Sequence, residues 1–149
     1  MLNGYKLIAV CLTKIQDEVT YEFIDAFYQT VKGSDYRLLL FNSFSDLYHQ
    51  NVYDEGAKSI YQLLNYDLVD AVIIKADTLN DQQVIRDLIA RAKERQIPVI
   101  LLNMKAEGCY SIVPSYENVF SQLIEHVIKV HHKRKLYFLS GSMGESNSM

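Results

Sequence analysis

Val69-Asp70-Ala71-Val72-Ile73-Ile74 and Ile97-Pro98-Val99-Ile100-Leu101-Leu102-Asn103 are two continuous apolar runs that decide the fold of this chain. One amphipathic stretch with helical periodicity lies between them. Apolar runs that do not alternate with polar residues are typical of strands covered on both faces, as in a parallel sheet. These two runs therefore predict a strand–helix–strand unit inside such a sheet.

The same alternation of strand and helix continues on both sides of this unit. Asn80 or Asp81 is predicted to cap the helix between the two runs, with Gln83 in a capping-box position, and Ser115 to cap the fourth helix. Regular alternation with short loops predicts an α/β fold: a doubly wound, mostly parallel six-stranded sheet with helices on both faces. The six predicted strands are Lys6–Leu12, Arg37–Phe41, Val69–Lys75, Pro98–Asn103, Tyr110–Val113 and Leu136–Leu139.

Composition excludes several functional classes. The 149 residues carry a formal net charge of -3, so no broad basic field predicts direct nucleic-acid contact. The apolar run Leu7–Leu12 is too short for a signal peptide or a membrane span. Cys11 and Cys109 form no CxxC motif and are expected to be reduced thiols. We therefore expect a cytoplasmic protein that does not contact a membrane.

No motif in the chain predicts catalysis. The turn Thr13–Glu18 after the first strand lacks the glycines of a dinucleotide-binding site, and neither a P-loop nor a GxSxG nucleophile elbow occurs. The four histidines have no spacing that would join them into a metal site. We expect this chain not to be an enzyme, and we expect no cofactor and no metal.

Polar residues follow the predicted strands at the end where a sheet of this kind binds its ligand, outside the carboxyl ends of the strands. Hydrogen-bonding side chains here suit a small polar molecule, although polar residues end strands in many proteins simply because loops are solvated. The predicted ligand-binding residues are Thr13, Lys14, Gln16, Asn42, Ser43, Ala76, Asp77, Asn103 and Tyr116.

Four segments, in this order and at about these distances, resemble the sensor module of LacI/GalR-type regulators. They are Val69–Ile74, Ile97–Asn103, Glu125-His126-Val127-Ile128 and Phe138-Leu139-Ser140-Gly141. The resemblance implies a periplasmic-binding-protein-like type I fold with two lobes, a ligand held between them, and dimerisation. It implies a single N-terminal lobe at residues 1–149, truncated after the Gly141 loop.

Two departures from the family pattern affect the functional prediction. Ser115-Tyr116 stands where the family has Asp-Asn, and His131-His132-Lys133-Arg134 stands where it has Gly-His. The basic run is expected to complement the carboxyl end of a helix, with an anion or nucleic-acid contact as the alternative. It is also similar to the linker of sensor modules that precede GGDEF diguanylate cyclase domains.

Three functions remain open at this point. The first is a small-molecule-sensing domain ahead of a GGDEF output domain in a bacterial signalling protein. The second is the effector-binding core of a LacI-type transcriptional regulator that lacks its helix-turn-helix. The third is a small flavodoxin-like enzyme. For the first two we expect an unidentified ligand, with a sugar or a nucleoside-like molecule as candidates, and a homodimer.

Overall fold

A computed structural model of the chain describes residues 4–45, 47 and 51–139. The chain divides into two compact units, Met1–Ile112 and Val113–Met149. The predicted loop that follows Gly141 lies outside the described residues. The first unit contains, in chain order, β1 (Lys6–Thr13), α1 (Glu18–Val31), β2 (Tyr36–Ser43), α2 (Val52–Gln62), β3 (Ala71–Lys75), α3 (Gln82–Glu94), β4 (Val99–Leu102) and β5 (Tyr110–Ile112).

The five strands form one sheet in the order β2-β1-β3-β4-β5. All four pairings are parallel, with register pairs such as Val10 beside Leu40 and Ile73 beside Ile100. The predicted α/β fold with a doubly wound parallel sheet is therefore confirmed, with five strands in place of the predicted six.

Each face of the sheet has its own apolar core, because successive side chains of a strand point to opposite faces. Leu7, Ala9 and Cys11 of β1 belong to the core that also contains buried residues of α2 and α3. Val10 and Leu12 belong to the core on the other face, which includes Ile24 of α1. Two helices therefore cover one face of the sheet, and α1 packs against the other.

The first residues of the helices test the capping residues that the sequence predicts. The Asp81 carboxylate accepts hydrogen bonds from the amides of Gln83 and Val84 at 2.8 and 3.2 Å, as expected of an N-cap. The Gln83 side chain donates instead to Asp87, so the predicted capping box is wrong. Asn51 caps α2, its side-chain oxygen accepting hydrogen bonds from the amides of Tyr53 and Asp54.

The second unit contains α4 (Glu117–Lys129). Tyr116 occupies its N-cap position and makes no capping hydrogen bond with its side chain, so the prediction of Ser115 as the cap is wrong. Leu136–Leu139 is not a strand and is exposed, which overturns the sixth predicted strand. A run of apolar residues becomes a strand only where a neighbouring strand supplies its hydrogen bonds.

No helix among the described residues is long and apolar enough to cross a membrane.

Candidate functional site

The carboxyl ends of the parallel strands lie along one edge of the sheet. We call the loops that leave β1, β2, β3 and β4 at this edge the carboxyl rim; they comprise residues 13–17, 42–45, 75–81 and 102–106. Open α/β sheets bind ligands outside this edge, at the point where neighbouring connections diverge to opposite faces. Here α1 and α3 lie on opposite faces, so that point is between β1 and β3.

The loop after β1 is joined to the loop after β3 by two threonines. The hydroxyl of Thr13 donates to the carbonyl oxygen of Thr78 at 2.6 Å, and the Thr13 amide donates to the Thr78 hydroxyl at 3.1 Å. The Thr78 hydroxyl also donates to the carbonyl oxygen of Lys75 at 3.0 Å. Thr13 is fully buried, so these bonds use its hydroxyl to position the rim.

The loops after β1 and β2 are held together in the same way. The Lys14 amide donates to the carbonyl oxygen of Ser43 at 2.7 Å, and the Ile15 amide donates to Oδ1 of Asn42 at 3.0 Å. Ser43 is buried, and its hydroxyl donates to the carbonyl oxygen of Ser45 at 2.9 Å. The structure thus brings three predicted site residues together, namely Lys14, Asn42 and Ser43.

Gln16 follows in the same loop with an exposed side chain.

The loops after β3 and β4 bring two further predicted residues to the rim. The buried Lys75 ammonium forms an ion pair of 2.6 Å with Oδ2 of Asp77. Oδ1 of Asp77 is buried and has no hydrogen-bond partner among the described residues. Asn103 has a φ of 61°, in the left-handed region, and its amide donates to the carbonyl oxygen of Ile112 at 2.9 Å. Asp77 and Asn103 therefore place a carboxylate and a carboxamide in the loops that follow the neighbouring strands β3 and β4.

Ala76 and Tyr116 complete the predicted set. Ala76 is buried, and its amide donates to the carbonyl oxygen of Leu102 at 3.2 Å. Tyr116 belongs to the second unit, where its side chain is 70% exposed. The binding of a ligand by these residues stays a prediction.

Sequence reasoning missed part of the polar network at the rim. The Ser45 hydroxyl donates to the carboxylate of Asp54, a buried residue in the first turn of α2. Lys75 was assigned only to a strand, although a lysine at the end of a buried run requires a nearby anion. That requirement was the available signal for the ion pair with Asp77.

A polar cavity of about 240 Å³ lies between α2 and α3. Lys58 lines the cavity and pairs with Asp81 at 2.7 Å and with Glu55 at 2.5 Å. The Lys58 ammonium donates hydrogen bonds to Asp81 and to Glu55, and these bonds, first the one to Asp81 and then the one to Glu55, raise the pKa of Lys58. Desolvation raises the pKa of Asp81, but its hydrogen bonds from Lys58, Val84 and Gln83 outweigh that effect and leave the pKa lowered. None of the predicted ligand-binding residues lines this cavity.

Burial shifts the pKa values of Cys11 and Tyr66, which both belong to the first unit. Burial raises the pKa of the Cys11 thiol to about 12, which keeps it protonated and unreactive at neutral pH. Burial likewise raises the pKa of Tyr66 to about 12. Among the described residues, no group of three His, Cys, Asp or Glu side chains could hold a metal ion. What the rim presents is a set of positioned hydrogen-bonding groups.

Comparison with known proteins identifies the fold. No protein-family model matches the chain, and no curated protein matches it either. A structure of the lac repressor dimer bound to operator and to the anti-inducer ONPF aligns with 97% of this chain at a TM-score of 0.64 and 16% identity. The LacI family transcriptional regulator CcpA from Weissella paramesenteroides, with bound sucrose, aligns with 96% at a TM-score of 0.63 and 17% identity. A lac repressor bound to ONPG in the repressed state aligns with 85% at a TM-score of 0.56 and 17% identity.

The structural neighbours are LacI-type regulators, and at these identities the likeness shows the fold alone. The chain has the α/β fold of their periplasmic-binding-protein-like ligand-binding domains, as the sequence resemblance implied. It spans between 36% and 50% of the length of these three chains.

Proposed function

We propose that this chain is part of the effector-binding core of a LacI-type transcriptional regulator, and that the carboxyl rim forms one wall of its ligand site. The observation that carries the proposal is the coincidence of two features. The chain has the fold of LacI-type regulators over nearly its whole length. Its carboxyl rim, where such a sheet binds ligands, holds Asp77 after β3 and Asn103 after the neighbouring strand β4.

The chemistry of the rim favours a small molecule rich in hydroxyl groups. A carboxylate accepts hydrogen bonds, and a carboxamide both donates and accepts, so together they can bind adjacent hydroxyls. One of the structural neighbours holds sucrose. A sugar is therefore our first candidate, and a nucleoside-like molecule, whose ribose offers the same hydroxyls, is the second.

Binding would act by shifting a conformational equilibrium. A ligand held between two lobes prefers the arrangement in which both lobes contact it, so its binding raises the population of that arrangement. In a dimer, that shift repositions the output domains. The rim contributes its part because the threonine bonds between its loops hold the ligand-facing groups in place before binding.

The proposed output is regulation of transcription. The comparisons support this choice because the neighbours are transcriptional regulators. The alternative, a GGDEF diguanylate cyclase output, is supported only by the basic run at residues 131–134. No structural observation favours the third alternative, a small flavodoxin-like enzyme.

A titration followed by nuclear magnetic resonance tests the proposed site. The full chain, labelled with ¹⁵N, is titrated with sucrose, galactose and adenosine at millimolar concentrations, since one wall of a site is expected to bind weakly. We expect one of these probes to shift the amide signals of residues 76–78 and 103–104. Shifts confined to other regions, or no shifts with any probe, would contradict the proposal.

Two matched variants make this test specific. Asn103→Gly removes the carboxamide but keeps a residue that adopts the left-handed conformation without strain. Gln96→Gly makes a similar change at another left-handed position, in the turn after α3 and outside the rim. We expect Asn103→Gly to weaken binding about tenfold, the loss of one or two hydrogen bonds, and Gln96→Gly to leave it unchanged.

A further inference from the structure

The polar cavity between α2 and α3 contains a hydroxyl group that no described residue satisfies. The cavity has a volume of about 240 Å³, and every residue that lines it belongs to the first unit. Tyr66, in the turn between α2 and β3, lines it and packs its side chain against the core of the sheet. The Tyr66 hydroxyl oxygen is buried and has no hydrogen-bond partner among the described residues. A buried hydroxyl without a partner is unfavourable, so this atom favours a molecule that bonds to it.

Arg91 of α3 brings an unpaired positive charge to the same cavity. Its guanidinium forms no hydrogen bond or ion pair with any residue that the structure describes. Burial raises the pKa of Tyr66 to about 12, and the charge of Arg91 acts on that hydroxyl in the opposite direction. At neutral pH the hydroxyl therefore keeps its proton, and Tyr66 and Arg91 both offer hydrogen-bond donors. A carboxylate, which only accepts hydrogen bonds, suits this pair of donors.

Asp87 brings a negative charge to the cavity one helical turn before Arg91. Residues four apart on a helix are neighbours, with Cβ atoms about 6 Å apart, and opposite charges at this spacing often pair. Asp87 instead accepts a hydrogen bond of 2.7 Å from the side chain of Gln83, and no ion pair joins it to Arg91. The wall formed by α3 therefore presents a separate anion and cation to the same cavity.

The rest of the lining is already paired or apolar. Lys58 binds its two carboxylate partners and is not available to another anion. The Tyr61 hydroxyl donates to the carbonyl oxygen of Leu12 at 2.7 Å, so Tyr61 has no free hydroxyl proton for a ligand. Leu88 is buried, and Val84 packs against the same core. These side chains suit a small apolar group.

We propose that this cavity is a second small-molecule site, distinct from the proposed ligand site at the carboxyl rim, and that it binds an α-amino acid with a small apolar side chain. The ligand carboxylate accepts hydrogen bonds from Tyr66 and Arg91, and its ammonium group donates to Asp87. The ligand side chain packs against Leu88 and Val84. The volume is about eight times the ~30 Å³ that a water molecule occupies in the liquid, which is enough for such a molecule.

Titration of the full chain, labelled with ¹⁵N, with L-valine tests the site. We expect the amide signals of residues 62, 66, 87 and 91 to shift. Two analogues test the two charges, because 3-methylbutanoate lacks the ammonium group and L-valinamide lacks the carboxylate. Each analogue should bind at least about tenfold more weakly than L-valine. The absence of shifts with L-valine, shifts confined to residues 76–78 and 103–104, or equal binding of the three probes would overturn the proposal.

Three variants remove the proposed contacts one at a time. Tyr66→Phe and Arg91→Gln should each weaken the binding of L-valine at least about tenfold and leave that of L-valinamide unchanged. Asp87→Asn should weaken L-valine by a similar factor and leave 3-methylbutanoate unchanged. Tyr28→Phe in α1 and Arg37→Gln in β2 are matched controls outside the cavity and should bind L-valine like the original chain. Equal effects of test and control variants would refute the assigned contacts.

Folding stability separates a ligand contact from a structural role of the Tyr66 hydroxyl. Without ligand, Tyr66→Phe should leave the urea midpoint of unfolding unchanged or raise it, because the lost hydroxyl has no partner among the described residues. Tyr61→Phe should lower the midpoint, because it removes the buried bond to the Leu12 carbonyl oxygen. An equal loss of stability in both variants would show that the Tyr66 hydroxyl serves the fold, and the proposal would fail.

Discussion

The hydroxyl of Thr13 donates a hydrogen bond of 2.6 Å to the carbonyl oxygen of Thr78, 65 residues further along the chain. Together with the bond from the Thr13 amide to the Thr78 hydroxyl, it ties the loop after β1 to the loop after β3. These loops flank the position at which a ligand is proposed to bind. The order of the rim therefore depends on a contact between residues that are distant in sequence.

Replacing Thr13 with valine tests this contact. Thr13→Val keeps the shape of the side chain but leaves the Thr78 carbonyl oxygen without this donor in a buried setting. We expect the free energy of unfolding to fall by about 1–2 kcal/mol. Urea unfolding followed by far-ultraviolet circular dichroism measures the change. The control is Thr30→Val, whose exposed hydroxyl bonds only within α1 and should matter by less than about 0.5 kcal/mol. Equal losses for both variants would contradict the assigned role of Thr13.

The left-handed conformation of Asn103 predicts an unusual order of stabilities. With a φ of 61°, this position favours asparagine or glycine, and a Cβ without a local hydrogen bond is strained there. We expect Asn103→Ala to be less stable than Asn103→Gly by about 1 kcal/mol. At Ala90, on the exposed side of α3, glycine should instead cost about 1 kcal/mol relative to alanine. Thermal unfolding of the original chain and of the three variants compares alanine with glycine at each position. If alanine were the more stable residue at position 103 as well as at position 90, the left-handed conformation of Asn103 would be ruled out.

The pair of Lys58 and Asp81 predicts a defined pH dependence. The pKa of Asp81 is lowered in the folded state, so the carboxylate stabilises the fold above its unfolded pKa of about 3.8, and this contribution disappears as the pH falls through the folded pKa. The pKa of Lys58 is raised, so its contribution is complete below about 10.5 and is lost as the pH rises through the folded pKa. The pair therefore stabilises the fold between these limits.

Asp81→Asn keeps a capping side chain and removes the charge. At pH 7 we expect it to lower the free energy of unfolding by about 1 kcal/mol, and the difference should vanish as the pH falls below the folded pKa of Asp81. Urea unfolding at a series of pH values measures this. Asp67→Asn is the control, because its pair with Arg95 is solvent-exposed and should contribute less than about 0.5 kcal/mol. A difference at pH 7 that persists in acid would show that the Asp81 charge is not its source.

The two cysteines should differ in reactivity. Cys11 is completely buried with its pKa raised to about 12, whereas Cys109 is partly exposed. Iodoacetamide at pH 8 should alkylate Cys109 at least about a hundredfold faster, and both thiols should react at similar rates in urea. Mass spectrometry of tryptic peptides follows each site. Fast alkylation of Cys11 in the native protein would contradict its burial.

The apolar runs at 69–74 and 97–103 were sufficient to predict the α/β fold, because a run of strand length that does not alternate is stable only between two covering layers. The Asp81 cap was predictable for a similar reason: its hydrogen bonds reach only two and three residues along the chain. Leu136–Leu139 shows where this reasoning stops. Its apolar residues satisfy the local pattern, yet a strand also needs a neighbour, and the local sequence does not reveal one.

The sequence by itself determined the class of fold, the order of helices and strands in the first unit, and the edge of the sheet at which a ligand is expected. These properties follow from side-chain periodicity and from the handedness of the connections, both of which act over short distances. Only the tertiary structure decided that Thr13 bonds to Thr78 and that Lys75 pairs with Asp77. Those contacts depend on strand order and register, which arise when distant parts of the chain pack together.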